Sequence, residues 1–270
     1  MMDHETRRNH AASDREAGRG DRVEQLRRRL PGAPPPYLEG ASENPNLGDD
    51  EMLLLLRNRH APQQLLSRIG RDRRWTASHE LKKHLVRHPR TPLVLARSLL
   101  PHLFWKELAE ISSDLRVHPV VRRQAEALLT VRIEQLSLGE RIALSRRASR
   151  GLIGCLIEAG DDRVLRGLLG NPRLVEGDAV RIAASPCSAP EFFRHLAGHP
   201  TWGSRRAVRM ALLRNSRTPV QVALRLVDRM PVGDLRGLVK DVKVPRIVRV
   251  GADRRLAVPS GRSSASLEWR

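Results

Sequence analysis

The side chains with spacing suited to chemistry are histidines at helical intervals and clustered arginines. His84 and His88 stand four residues apart, a spacing that presents two imidazoles to one metal ion from one helical face. The stretch His79-Glu80-Leu81-Lys82-Lys83-His84 is not a metalloprotease helix, because its second histidine falls one residue too far along. His195 and His199 repeat the interval, but His199 precedes Pro200 and reads as a loop residue. The arginines form the stronger group: Arg122-Arg123, Arg146-Arg147 with Arg150, and Arg205-Arg206 with Arg209. Arg146 and Arg150 are four apart, as are Arg205 and Arg209, so each pair is expected to share a helical face. Guanidiniums repeated on equivalent helices would form a stripe able to follow phosphates or an acidic protein. A solvated face with ordinary ion pairs is the plainer alternative.

No catalytic, cofactor-binding or metal-ligating set emerges. There is no glycine-rich phosphate loop and no Ser-His-Asp or Cys-His pattern at a known spacing. Asp49-Asp50-Glu51 and Asp161-Asp162 sit at expected helix starts, where negative charge suits the helix dipole. Cys155 and Cys187 are too few for a disulfide scaffold or a four-cysteine metal site and read as small buried hydrophobes.

Charge narrows the partner. Of the net charge of +19, residues 44–256 carry +18, because residues 1–43 hold equal numbers of acids and bases. Such a body is drawn to polyanions, although 44 of the 49 basic residues of the whole chain are Arg, a usage that a GC-rich coding sequence also produces. Aromatics are 3%, too few for platforms that stack and read bases. No apolar run approaches a membrane span, and the first ten residues lack the apolar core of a signal peptide, so a cytoplasmic protein is expected.

The elements that must position these residues are helices. Period-2 alternation is absent, and apolar residues recur at i, i+3, i+4 and i+7. Thr91-Pro92 and Thr218-Pro219 read as a capping Thr before Pro at the first helical position. The chain also repeats itself at a spacing of 127 residues: His88–Leu129 lies over Asn215–Leu256 without a gap. Asn44-Pro45-Asn46-Leu47 falls on Asn171-Pro172-Arg173-Leu174, and Trp75 on Trp202, which marks Trp75 and Trp202 as packing residues. Intervals of 44 residues from Asn44 to His88 and from Asn171 to Asn215 predict units of about 40–44 residues, five of them between 44 and 256. Residues 1–43, charged and then Pro-rich, read as a disordered tail with a stiff spacer, and residues 257–270 as a flexible tail.

The phrase LVRHPRTPLVLARSLLPHL and its copy LLRNSRTPVQVALRLVDRM resemble bacterial HEAT-like repeats, especially the leucine-rich repeat variant type with its NPxTP turn. Over 44–256 the resemblance implies an all-α, right-handed α-solenoid of the armadillo/HEAT kind, and it leaves function open. Some leucine-rich repeat variant proteins carry an iron–sulfur cluster on grouped cysteines, and this chain has no such grouping. HEAT-like DNA glycosylases use Trp and a carboxylate on a basic face. Trp105, near Glu107 and Asp114, matches them in residue type without a motif. The expected function is a non-enzymatic scaffold binding a macromolecule, first a protein, on its concave face. Phosphate-contacting nucleic-acid binding through Arg122, Arg123, Arg146, Arg147, Arg150, Arg205, Arg206 and Arg209 is the alternative, and a HEAT-like glycosylase stands third.

Overall fold

The computed structural model describes residues 2–185 and 189–257, and among them every regular element is helical. The helices fall into two units that divide between Gln135 and Leu136. The first holds α1 (Met2–Gly20), α2 (Val23–Arg29), α3 (Pro35–Ser42), α4 (Asp49–Arg57), α5 (Gln63–Arg71), α6 (Arg73–Ala77), α7 (His79–Arg87), α8 (Leu93–Leu99), α9 (Trp105–Ser113) and α10 (Pro119–Arg132). The second holds α11 (Leu138–Ser145), α12 (Arg150–Glu158), α13 (Asp162–Leu169), α14 (Glu176–Ala183), α15 (Pro190–Ala197), α16 (Arg206–Arg214), α17 (Val220–Asp228), α18 (Val232–Lys240) and α19 (Arg246–Ala257). A shift of 127 residues carries α3, α7 and α9 onto α13, α16 and α18 residue for residue.

Most of these helices have seven to nine residues, too short to persist alone, so packing must hold them. Many present an aliphatic stripe, such as Leu81, Leu85 and Val86 on α7 or Val208, Leu212 and Leu213 on α16. Helices pack both on the next helix, as α9 on α10 and α18 on α19, and on the helix after next. In the first unit α1 packs on α3 and α2 on α4; in the second α11 packs on α13, α12 on α14, α14 on α16 and α15 on α17. Leu26, Leu38, Met52, Leu55 and Leu81 are fully enclosed in the first core, and Leu152, Leu165, Phe192 and Phe193 in the second. Burying each such side chain contributes on the order of 1.5–3 kcal/mol.

Residues 1–43 are not a disordered tail. Tyr37, Leu38 and Ala41 of α3 are buried, as are Leu26 and Leu30. Arg15 and Arg19 of α1 both bond the Glu43 carboxylate, which holds its pKa down at about 2. A Cβ on Gly40 would overlap the Arg15 carbonyl, so the two backbones approach as only glycine permits. At the equivalent Gly167 a Cβ would meet the Ser145 hydroxyl and lie tight against the Ile142 carbonyl (3.3 Å), the counterpart of Arg15. High charge concealed α1, which packs on α3 through few apolar residues. Beyond Ala257, the tail expected over 257–270 lies outside the described residues.

Four enclosed or half-buried asparagines, Asn44, Asn58, Asn171 and Asn215, tie the ends of α3, α4, α13 and α16 to the ends two helices earlier. Asn44 Nδ2 donates to Gly18 O (3.0 Å) and Asp21 O (2.8 Å), while its Oδ1 accepts from Asn46 N (2.8 Å). Asn171 Nδ2 donates to Ser145 O (2.8 Å) and Ala148 O (3.1 Å), with Oδ1 accepting from Arg173 N (2.8 Å). Every partner is shifted by 127, so the repeat extends upstream to Gly18. Asn58 bridges Leu30 O and Ala33 O, and Asn215 bridges Ala183 O and Ser185 O. These rungs span 23–32 residues, about two helices. The 40–44-residue unit is therefore corrected: Asn44 to His88 encloses α4, α5, α6 and α7, and the bonded period is shorter.

The expected Thr caps also need correction. Pro92 and Pro219 occupy the N-cap positions of α8 and α17, one residue later than expected. Thr91 Oγ1 is buried without a hydrogen-bond partner, whereas Thr218 Oγ1 donates to Leu212 O (2.6 Å).

Candidate polyanion-binding surface

The first charged residue of a helix repeatedly meets an acid in the first turn of the helix after next. Arg206, opening α16, forms a two-pronged pair with Asp234 of α18 (Nε to Oδ2 2.7 Å). The 127-residue equivalent is His79 Nε2 with Glu107 Oε2 at 2.6 Å. Arg150, opening α12, pairs in the same way with Asp178 of α14. Asp178 and Glu107 also accept from backbone amides at their own helix starts, Val175 N and Phe104 N. A second pair recurs at helix ends: Arg87 with Asp114 (3.1 Å) and Arg214 with Asp241 (3.0 Å). Asp114 lies far below the ordinary carboxylate range because Arg116 bonds it, despite burial, with Arg87 adding to the effect. The Arg206 bond holds Asp234 down likewise.

The eight arginines singled out by clustering divide under this geometry. Arg150 and Arg206 are structural, committed to Asp178 and Asp234. Arg209 is half-buried and donates from Nε to Gly203 O (2.8 Å). Arg122 on α10 is half-buried with its Nε enclosed and unpartnered, and its equivalent Arg249 on α19 has the same enclosed Nε. Arg123 on α10, Arg146 and Arg147 after α11, and Arg205 before α16 are exposed, and no side-chain bond engages them among the described residues. Arg146 and Arg147 lie in the turn between α11 and α12, so Arg146 and Arg150 do not share a helical face as expected. By sequence count, residues 136–270 carry a net +13 and residues 1–135 a net +6.

The other candidates serve the fold. His88 caps the end of α7: Nε2 donates to Asn58 O (3.1 Å) and Nδ1 accepts from Arg90 N (3.1 Å). Both ring nitrogens are thus engaged, and burial with Arg90 and Arg59 nearby keeps the ring below its usual pKa. His84 Nδ1 turns back to Glu80 O (3.0 Å). His199 Nδ1 accepts from the amides of Thr201 and Trp202. Among the described residues, no three potential metal ligands gather. Trp75 is buried under Arg74, and Trp202 donates from Nε1 to Leu169 O (3.0 Å). Trp105 is half-buried, and the carboxylates near it in sequence, Glu107 and Asp114, are both bound as described. Cys155 is half-buried in α12, and Cys187 lies outside the described residues.

A groove recurs at one repeat position in each unit. In the first it encloses about 380 Å³ between Leu56, Arg57, Arg59, His84, Arg87, Pro89, Asp114 and Arg116. In the second it encloses about 600 Å³, and Ala184, Ala207, Met210 and Ala211 line it beside Arg214 and Arg217. Arg57 and His84 of the first are Ala184 and Ala211 of the second, whereas Arg87 keeps its charge as Arg214. Sequence inspection missed this basic groove because its arginines come from three helix ends about 30 residues apart. Only Arg57 and Arg59 are neighbours in sequence.

Fold and surface together define an all-helical protein built as two copies of one helical unit. Compared with known proteins, the chain matches no family model, no curated protein and no solved structure. Among the described residues, no helix is long and apolar enough to cross a membrane.

Proposed function

We propose that the protein is a non-enzymatic, cytoplasmic scaffold, with its helix stacks arranged as α-solenoid segments of the HEAT-like kind, that binds an acidic macromolecule, in the first place a protein. The observation that carries this reading is the division among its charges. Acids of the repeated pairs, such as Glu107, Asp114, Asp178 and Asp234, are tied to structural partners, while Arg123, Arg146, Arg147 and Arg205 project without one. Packing of several helices on the helix after next, such as α1 on α3, α11 on α13 and α14 on α16, supports the solenoid arrangement.

Nucleic acid is the second reading, favoured by the same unpartnered guanidiniums, which suit phosphate oxygens as well as carboxylates. Fluorescence anisotropy of the full chain with a labelled polyglutamate peptide and a labelled single-stranded oligonucleotide, across a salt series, tests both. The protein reading predicts tighter binding of the peptide. Tighter binding of the oligonucleotide with a steep salt slope establishes the second reading, and no binding of either at about 50 mM salt refutes both.

A further inference from the structure

We propose that the basic groove of the first unit is a binding site for a phosphomonoester: a phosphate dianion carried on a small organic body. This proposal does not depend on the partner-binding reading above, since it uses none of the arginines named there.

Four arginines, Arg57, Arg59, Arg87 and Arg116, line the groove. Arg87 and Arg116 already share a carboxylate, because both bond Asp114, whose side chain is 12% exposed. Arg57, at the end of α4, and Arg59, in the turn after it, are exposed and have no side-chain partner among the described residues. Asp114 stays ionised and holds its two arginines in place, so the groove keeps an excess of positive charge next to two free forks. A tetrahedral dianion with three equivalent oxygens fits two such forks, and Arg is suited to phosphate in this geometry. His88 adds no competing charge, since its two nitrogens serve Asn58 O and Arg90 N.

The second copy provides the control. The fold supplies the groove in both units, but Arg57 and His84 are replaced there by Ala184 and Ala211, and Met210 joins the lining. The helix packing therefore does not require these charges. The first copy keeps Arg57 and His84 where the second has alanines, so its groove carries cations beyond the Arg87/Arg214 position that both share. The volume of about 380 Å³ falls in the range of small-molecule sites, and Leu56 and Pro89 offer apolar walls to an organic body.

The test is isothermal titration of the full chain with inorganic phosphate and with adenosine 5′-monophosphate as a probe, at constant ionic strength. Three proteins are compared: the wild type, Arg57→Ala/Arg59→Ala, and Arg146→Ala/Arg147→Ala. The wild type should bind both anions saturably, the nucleotide more tightly because its body occupies the rest of the groove. Losing two charged donors should weaken binding by at least about tenfold in Arg57→Ala/Arg59→Ala. Arg146→Ala/Arg147→Ala should bind like the wild type. Both pairs are exposed, so circular dichroism should show all three proteins equally folded. No saturable binding, unchanged binding in Arg57→Ala/Arg59→Ala, or equal loss in both variants would overturn the proposal. So would a nucleotide that binds more weakly than phosphate. Polyglutamate binding that is lost while these results hold would sink the scaffold reading alone.

Discussion

Replacing Asn171 by Ala removes one rung at a single, well-defined place. Asn171 is 3% exposed, and its side chain makes three bonds: to Ser145 O, to Ala148 O, and from Arg173 N. Alanine leaves two buried carbonyls and one amide without partners. With each lost bond costing about 0.5–1.5 kcal/mol net, and buried orphans at the upper end, Asn171→Ala should destabilise by about 2–3 kcal/mol. Asn44→Ala should cost slightly less, because the Asp21 carbonyl it reaches is partly exposed. Urea unfolding followed by far-UV circular dichroism measures both, as midpoint shifts at unchanged slope. Asn171→Asp adds a sign. It keeps the acceptor for Arg173 N but sets a carboxylate against two carbonyls, which raises its folded pKa. That variant should be most stable in acid, where the carboxyl is protonated, and should lose stability as the pH rises through the raised pKa. If both alanine variants lie within about 0.5 kcal/mol of wild type, the rungs do not hold the helix ends and the reasoning is wrong.

Other outcomes follow from single positions. Thr91→Val removes a buried, unpartnered hydroxyl and should leave stability unchanged or raise it, while Thr218→Val breaks a bond to Leu212 O and should cost about 1 kcal/mol by the same unfolding assay. Gly40→Ala forces a methyl against the Arg15 carbonyl and should destabilise by about 1–3 kcal/mol, whereas Gly20→Ala meets open space and should be neutral. Glu43 has a folded pKa of about 2 and an ordinary one of 4.5, so its contribution is complete above 4.5 and is lost as the pH falls toward 2. Wild type should therefore lose more stability across that window than Glu43→Gln, as acid titration of the thermal midpoint would show.

Helical class was legible from apolar periodicity, and the duplication from the Asn-Pro and Thr-Pro turns. Its upstream extent was not. Gly40 and Asn44 repeat as Gly167 and Asn171, but Gly18 and Asp21 match Ser145 and Ala148, whose role is carried by backbone carbonyls that any residue supplies. Backbone-mediated equivalence leaves no trace in residue identity. Arg150 and Arg206 looked like surface charges because their partners, Asp178 and Asp234, lie 28 residues away in sequence. The Thr cap was misplaced by one residue because Pro serves equally at the N-cap of α8 and at a first helical position. The groove arginines escaped notice because their convergence is a property of helix stacking rather than of local sequence.

Affinity capture on the purified full chain, with and without nuclease, is the most direct test of the scaffold reading. Wild type should be compared with Arg123→Ser/Arg146→Ser/Arg147→Ser/Arg205→Ser. The account predicts that one acidic protein is retained by wild type after nuclease treatment, elutes as salt rises, and is lost from the fourfold variant. Equal retention by the variant, or retention that disappears with nuclease, would contradict it.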